Sequence, residues 1–295
     1  MNSRNRRIYS LLAASALLAG CVAGERHETT VERQWPAGAI HRIEVREVDG
    51  AITVDSAAAD RVTLVAHVRS RGIAPRPNRE NQGFFRTAIA GDTLTIGRED
   101  EHRIRFISPF WSSADVTVDY ELRVPASVAL ELRTVNGRIA VNGIDGEASA
   151  TTVNGPITVA ASGNNELYAK TVNGRVEAHF TSAFQGARLK TVNGAVRAVL
   201  PTSASFNGDF SQVNGDFEAG FPLSIHSNPG ARRVSGEVNG GKYELKIETV
   251  NGDITVDNAT PHVPAPPAAP SSTAPAVPSV PAAPAAPAAP PSLTR

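Results

Sequence analysis

Short runs of alternating apolar and polar residues recur along the chain, and most of them follow one tripeptide. After successive copies of Val-Asn-Gly, apolar residues stand at the second and usually the fourth place: Ile139 and Val141, Ile157 and Val159, Val176 and Ala178, Val196 and Ala198, Phe217 and Ala219, Ile254 and Val256. The positions between them are polar or small, as in Thr158, Glu177, Arg197, Glu218 and Thr255. A period of two predicts strands with one face buried. Upstream of the tripeptide the parity changes. Leu130, Leu132 and Thr134 share a face, as do Leu167, Ala169 and Thr171. A corner at Val-Asn-Gly therefore turns both apolar faces towards one core.

The asparagines at 136, 154, 173, 193 and 214 are separated by 18, 19, 20 and 21 residues, after which the spacing breaks to 25 and 12 for Asn239 and Asn251. Val48-Asp49-Gly50 is an outlying variant. Drift of this kind suits a stacked structural repeat. Asn136-Gly137, Asn154-Gly155, Asn173-Gly174, Asn193-Gly194, Asn214-Gly215 and Asn251-Gly252 are read as structural turns, because Asn and Gly both tolerate positive φ. A second glycine lies midway in several repeats, at Gly146, Gly163, Gly186 and Gly208. Each repeat then holds two short strands and two corners. Two all-β arrangements fit. One is a β-solenoid with rungs of about 20 residues, each pairing in parallel with the next. The other is a series of antiparallel β-hairpins, with Thr134 facing Ile139 and Leu132 facing Val141. The solenoid is preferred, since stacked rungs explain why the same Val and Asn return.

The flanks divide the chain further. Residues 1–20 carry Arg4, Arg6 and Arg7 ahead of a short apolar run that is too short to span a membrane as a helix. The run ends in Leu18-Ala19-Gly20-Cys21, which closely resembles the bacterial lipobox. The resemblance implies cleavage before Cys21 and a diacylglycerol on its thiol; Val22, in place of Asp, implies the outer membrane by analogy with enteric lipoproteins. Cys21 is the only cysteine, so no intrachain disulfide exists. Residues 21–38 read as a lipid-anchored tether, 39–257 as the β-domain with its regular repeats at 126–257, and 258–295 as a Pro/Ala-rich disordered tail. The early part of the β-domain contains alternating runs at 40–45, 52–54, 62–68, 93–96, 103–107 and 116–124. Residues 69–86 break the pattern with five arginines and Phe84-Phe85, which suits a solvated insertion or a loop for an anionic ligand. Pro109-Phe110-Trp111 suits an aromatic plug or an exposed contact. In the tail, Pro281, Pro284, Pro287 and Pro290 recur every third residue, the period of polyproline II. Such a segment is a spacer of roughly 100 Å when extended, or a ligand for a partner.

Charge adds one exclusion. Loss of residues 1–20 removes three arginines and leaves 26 basic against 29 acidic residues, a net of −3, so nothing draws the protein to nucleic acid. Candidate chemistry is sparse. Glu177, Arg197 and Glu218 would fall at equivalent positions of stacked rungs about 4.8 Å apart, a cross-rung charge ladder rather than an acid/base pair. Arg133, Lys170 and Lys190 share another position, with Thr151 between the first two. This basic stripe is either plain solvated surface or a contact for an anionic polymer. The seven histidines are scattered and only one cysteine is present, so no metal or cofactor is expected. Neither Gly-x-Ser-x-Gly nor a phosphate-binding loop occurs, and no enzymatic activity is expected.

Tyr120-Glu121-Leu122-Arg123-Val124-Pro125, then Leu130 to Gly137, then serial Thr-Val-Asn-Gly copies resemble the bacterial "putative adhesin" domain family over roughly residues 40–257. The resemblance implies a β-solenoid and an adhesion-like role, although the matching motifs are structural. Residues 238–247 depart from it and read as a distorted terminal rung or cap. The expectation is a lipid-anchored protein of the bacterial envelope acting as a structural or adhesion-like binding module. Its partners are the membrane, through the N-terminal lipid, and an envelope polysaccharide or protein. The alternatives are an envelope-stress or assembly accessory that binds a protein, and a polysaccharide-active β-helix enzyme using Glu177 and Glu218.

Overall fold

The computed structural model describes residues 26–58, 60–71, 85–97, 116–223, 226–227 and 233–259. The readings for residues 1–20, Cys21, the arginine loop between 72 and 84, the run at 103–107, Pro109-Phe110-Trp111 and residues 260–295 of the Pro-rich tail lie outside the described residues, while Asn258 and Ala259, assigned to that tail, end the last strand.

Twenty-one strands follow one another along the described chain. They are β1 (Arg26–Pro36), β2 (Arg42–Arg46), β3 (Ile52–Ser56), β4 (Arg61–Arg71), β5 (Arg86–Ala90), β6 (Thr93–Gly97), β7 (Val116–Val124), β8 (Ala129–Arg133), β9 (Ile139–Ile144), β10 (Ala148–Thr151) and β11 (Ile157–Ala161). The remainder are β12 (Leu167–Lys170), β13 (Val176–Phe180), β14 (Ala187–Lys190), β15 (Val196–Pro201), β16 (Phe206–Ser211), β17 (Phe217–Ala219), β18 (His226–Ser227), β19 (Arg233–Val238), β20 (Tyr243–Glu248) and β21 (Ile254–Ala259). They form two sheets. One runs β1-β4-β7-β3-β9-β11-β13-β15-β21-β17, the other β18-β19-β16-β20-β14-β12-β10-β8-β2-β6-β5.

In the middle of the domain each rung gives one strand to each sheet. β8, β10, β12 and β14 pair in parallel, and so do β9, β11, β13 and β15. Ile139 lies beside Ile157 rather than opposite Thr134, which rules out serial hairpins and makes the fold a β-solenoid. The alternation read from the sequence is the burial pattern. Leu130, Leu132, Ile157, Val159, Ala169, Val176, Ala178 and Val196 are buried between the sheets. These small branched side chains fill a thin core. Towards the last rungs phenylalanines take over, as Phe180, Phe184, Phe206 and Phe221 follow one another in edge-to-face contacts of 5.1, 5.9 and 5.5 Å.

Three expectations need correction. Residues 26–36, assigned to the tether, form β1, which pairs antiparallel with β4 along its whole length. Its Val31 is buried and Trp35 packs against the core, while Arg26, Glu28, Glu32 and Pro36 are exposed on a strand that ends the sheet. Charges and proline on a terminal strand discourage further pairing. Gly208 is not a corner. It lies inside β16, beside Gly236 and Leu245, where a Cβ would stand 2.4 Å from the Phe210 ring. Residues 238–247 are neither a distorted rung nor a cap: Tyr243–Glu248 is a regular strand, reached from β19 by a turn at 239–242.

That last strand also breaks the order of stacking. β20 lies between β14 and β16, and β21 between β15 and β17. The rung of residues 243–259 is therefore inserted between two rungs that precede it in the sequence.

Candidate functional site

Every rung turns its corner on the same three columns. Asn136 Nδ2 donates to Asp49 Oδ1, Asn154 to Asn136, Asn173 to Asn154, Asn193 to Asn173, Asn251 to Asn193 and Asn214 to Asn251, each at 2.8 Å. The amides all point one way, so their dipoles add. The donating end needs only an acceptor, and a negative charge there is favoured; Asp49 supplies both. The glycines serve close approach. A Cβ on Gly155, Gly174 or Gly194 would lie 2.1 Å from the glycine carbonyl oxygen of the preceding rung. Those same carbonyls accept from buried threonines, with Thr152 Oγ1 to Gly137 O and Thr171 Oγ1 to Gly155 O both 3.0 Å. The asparagines of the ladder do not adopt positive φ; Asn239, which is outside it, is the one non-glycine that does among the described residues. The turn rationale is thus replaced: Asn makes a ladder and Gly makes room. The valines before them face outward, with Val135, Val153, Val213 and Val250 exposed.

The basic stripe is a real column on the outer face of the second sheet. Arg46, Arg133, Thr151, Lys170, Lys190 and Glu248 stand side by side on β2, β8, β10, β12, β14 and β20. Its ends are neutralised. Arg46 pairs with Glu44 at 3.3 Å, Arg133 with Glu131 at 2.7 Å and Lys190 with Glu248 at 2.7 Å. The hydrogen bond to Glu248 and its charge raise the Lys190 ammonium above its ordinary pKa. The same hydrogen bond holds the Glu248 carboxyl below the usual carboxylate range, against a smaller opposing effect of burial. Lys170 makes no ion pair among the described residues. Two positions earlier on the same face stand Ser149, Tyr168, Arg188 and Lys246. Tyr168 is the only exposed aromatic among the described residues, and sequence reasoning missed it because a single tyrosine in a strand carries no motif. Arg188 lies between Glu166 at 3.4 Å and Glu244 at 3.3 Å. The centre of this face thus offers an aromatic ring, hydroxyls and one uncommitted ammonium, a set that suits a polyhydroxylated anion.

The charge ladder does not form as expected. Glu177 lies beside Arg197, but Thr255 of the inserted rung separates Arg197 from Glu218. Arg197 pairs with Asp257 at 2.7 Å instead. Glu177 and Glu218 are three strand spacings apart, about 14 Å, beyond the roughly 5–9.5 Å at which paired carboxylates hydrolyse glycosides. Phe85, assigned above to the arginine-rich stretch, is buried edge-on against Tyr120 at 5.5 Å. A shallow cavity of about 300 Å³ on the other sheet is lined by Glu28, Thr30, His67, Arg69 and Asp119. In it Arg69 pairs with Asp119, and His67 Nε2 lies 3.6 Å from Glu121. Among the described residues no three His, Cys, Asp or Glu side chains converge as metal ligands would.

A family profile described as Toastrack DUF4097 matches residues 12–257. No curated protein matches the chain. Among solved structures, a "putative cell adhesion protein" from Clostridium sporogenes is similar at 11% identity and a TM-score of 0.43, covering 80% of this chain and 100% of its own. A "putative adhesin" from Bacteroides fragilis shares 11% identity at a TM-score of 0.37, covering 78% and 97%. A "putative lipid binding protein" from Parabacteroides distasonis shares 10% at 0.28, covering 78% and 96%. At such TM-scores nothing about this chain's ligand follows from the likeness.

Proposed function

The chain belongs to the Toastrack DUF4097 family, and we propose that it is a lipid-anchored protein of the bacterial outer membrane that binds an anionic polysaccharide on the outer face of its second sheet. The observation that carries the reading is Lys170, an ammonium without an ion partner among the described residues, between Thr151 and Lys190 with Tyr168 on the same strand face. A sugar ring stacks on the tyrosine, its hydroxyls meet Ser149 and Thr151, and its carboxylate reaches Lys170. Repetition at a rung spacing of about 4.8 Å lets weak contacts add along a chain of sugars. Cys21 supplies the anchor; acylation at the N-terminus holds the domain at the membrane, and Cys21→Ala releases it to the soluble fraction.

The test is binding of the full chain to polygalacturonate, with dextran as the uncharged control. Saturable binding to polygalacturonate alone, weakened by salt and reduced about tenfold by Lys170→Glu, which corresponds to about 1.4 kcal/mol, is the expected result. Binding insensitive to salt and to Lys170→Glu, or no binding, overturns it. A second reading, an envelope-stress or assembly accessory that docks a protein, is favoured by a different observation. The outward valines at 135, 153, 250 and 213 form an uncharged ridge beside the asparagine ladder. Loss of one stoichiometric co-purifying protein on Val153→Glu, with polygalacturonate binding absent, selects that reading.

A further inference from the structure

We infer that residues 243–259 form an exchangeable rung, and that the slot they fill accepts the same segment from a second copy of the chain.

The slot has two walls. On one side Ala187–Lys190 of β14 pairs with Leu245–Glu248, and Val196–Pro201 of β15 pairs with Ile254–Ala259. On the other side Phe206–Ser211 of β16 pairs with Tyr243–Glu248, and Phe217–Ala219 of β17 with Ile254–Val256. The far wall pairs with the solenoid through the inserted rung, and Phe206 also reaches past that rung to Phe184 at 5.9 Å. The walls also match each other. Asn193 Oδ1 accepts from Asn251, and Asn214 Nδ2 donates to Asn251, so the donor and acceptor that flank the inserted asparagine are the pair that would meet if it left.

Charge favours the inserted rung on β14/β15. That wall shows Arg188, Lys190 and Arg197. The inserted segment carries Glu244, Glu248, Asp253 and Asp257 against Lys246, a net of −3. It makes three ion pairs with the wall: Glu244 to Arg188 at 3.3 Å, Glu248 to Lys190 at 2.7 Å and Asp257 to Arg197 at 2.7 Å. Stacked directly on the wall, β16/β17 would bring Asp209 to Arg188 and Glu218 to Arg197 but only Ser211 to Lys190. The two stackings use the same ladder and differ by one ion pair. They are close alternatives, and during synthesis 206–219 emerges before its competitor.

The segment has a hinge at its start. It enters through the turn Asn239-Gly240-Gly241, whose φ values of 50, 83 and 58° make it tight and whose two glycines let it open. The turn is latched to the start of β16 by Asn239 Nδ2 to Ala204 O at 2.8 Å and Asn207 Nδ2 to Gly241 O at 2.8 Å. The last described rung of a β-domain, held in a slot and joined through a glycine hinge, is an arrangement from which identical chains exchange segments.

The test uses the full chain with Cys21→Ser and single cysteines at Lys190→Cys or Glu248→Cys, positions that are side by side on β14 and β20. The doubly substituted chain should close a disulfide within itself. When the two singly substituted chains are mixed at high concentration, briefly loosened in urea and reoxidised, a covalent heterodimer is expected that the control pair Arg133→Cys and Glu248→Cys does not give. Heterodimer no greater than the control at every concentration overturns exchange. Failure of the double variant to close overturns the slot itself. Val199→Cys with Asp257→Cys, side by side on the other sheet, repeats both measurements should the first pair disturb folding.

Discussion

Val192-Asn193-Gly194 and Val238-Asn239-Gly240 carry the same three residues into two different structures. Asn193 lies in the ladder, donating to Asn173 and accepting from Asn251, and Gly194 is pressed against the rung before it. Asn239 takes φ 50° and caps Ala204, while Gly240 stands in open space at φ 83°. The neighbours make the difference. Two residues before Asn193 is Thr191, buried and bonded to Gly174 O at 2.8 Å; two residues before Asn239 is Glu237, exposed on β19. After Gly194 the chain resumes with buried Val196, whereas after Gly240 a second glycine tightens the turn. The tripeptide alone specifies neither outcome. At Asn193 a buried threonine ahead and an apolar residue behind accompany the rung corner; at Asn214, also in the ladder, Gln212 stands in the threonine's place and Phe217 follows.

The largest separation between the two sites is expected at glycine. Gly174→Ala drives a Cβ to 2.1 Å from Gly155 O, a backbone atom held by the next rung, and is expected to cost about 3 kcal/mol. Gly240→Ala meets nothing within 4 Å and carries only the left-handed backbone penalty, about 1 kcal/mol. Urea midpoints of the two variants measure this directly, and equal shifts would break the distinction between corner and turn.

A smaller contrast tests the ladder's direction. Asn173→Asp removes the donor to Asn154 Oδ1 and sets carboxylate against carbonyl in mid-ladder, so a loss of about 2 kcal/mol at neutral pH is expected. The reverse change at the accepting terminus, Asp49→Asn, keeps the acceptor for Asn136 and should fall within about 0.5 kcal/mol. Similar losses at both sites would mean that the amides do not act as one directed chain.

Much of this was legible because it is local. Strand parity around 130–134 and 157–159 is written in adjacent residues, and the line Lys170–Lys190 follows from a separation equal to one rung. Rung order was not legible. Asn214 and Asn251 stand in equivalent tripeptides, and the contacts that distinguish them, Glu244, Glu248 and Asp257 with Arg188, Lys190 and Arg197, join side chains about 56–60 residues apart. Strand β1 was missed for a different reason. An edge strand is apolar only where it touches the core, and in 26–36 that leaves Val31 and Trp35 among charges. Tyr168 was missed because exposure is a property of the fold.

The smallest effect concerns pH, and it again separates the inserted rung from the regular ones. The resolved pKa displacements among the described carboxylates are those of Glu248, on the inserted rung, and Asp209, on the β16 wall beside it. Both are lowered, Glu248 chiefly by its hydrogen bond from Lys190 and Asp209 chiefly by that from Arg233. An acid whose folded pKa is depressed adds stability that is present above its unfolded pKa and is lost as pH falls through the folded one. Lys190 is displaced upward, so its contribution is present below its unfolded pKa and is lost as pH rises through the folded value. The Lys190–Glu248 pair therefore holds β20 on β14 across the neutral range and lets go in acid, starting below about pH 4.3. Both side chains are substantially exposed, and the loss is about 0.5 kcal/mol. Hydrogen exchange, corrected for intrinsic rates, should show the amides of Leu245 and Ile247 losing protection between pH 6 and pH 3 while those of Ala150 and Ala169 keep theirs. Uniform loss along the solenoid would place the acid-labile contacts elsewhere and remove the special standing of the inserted rung.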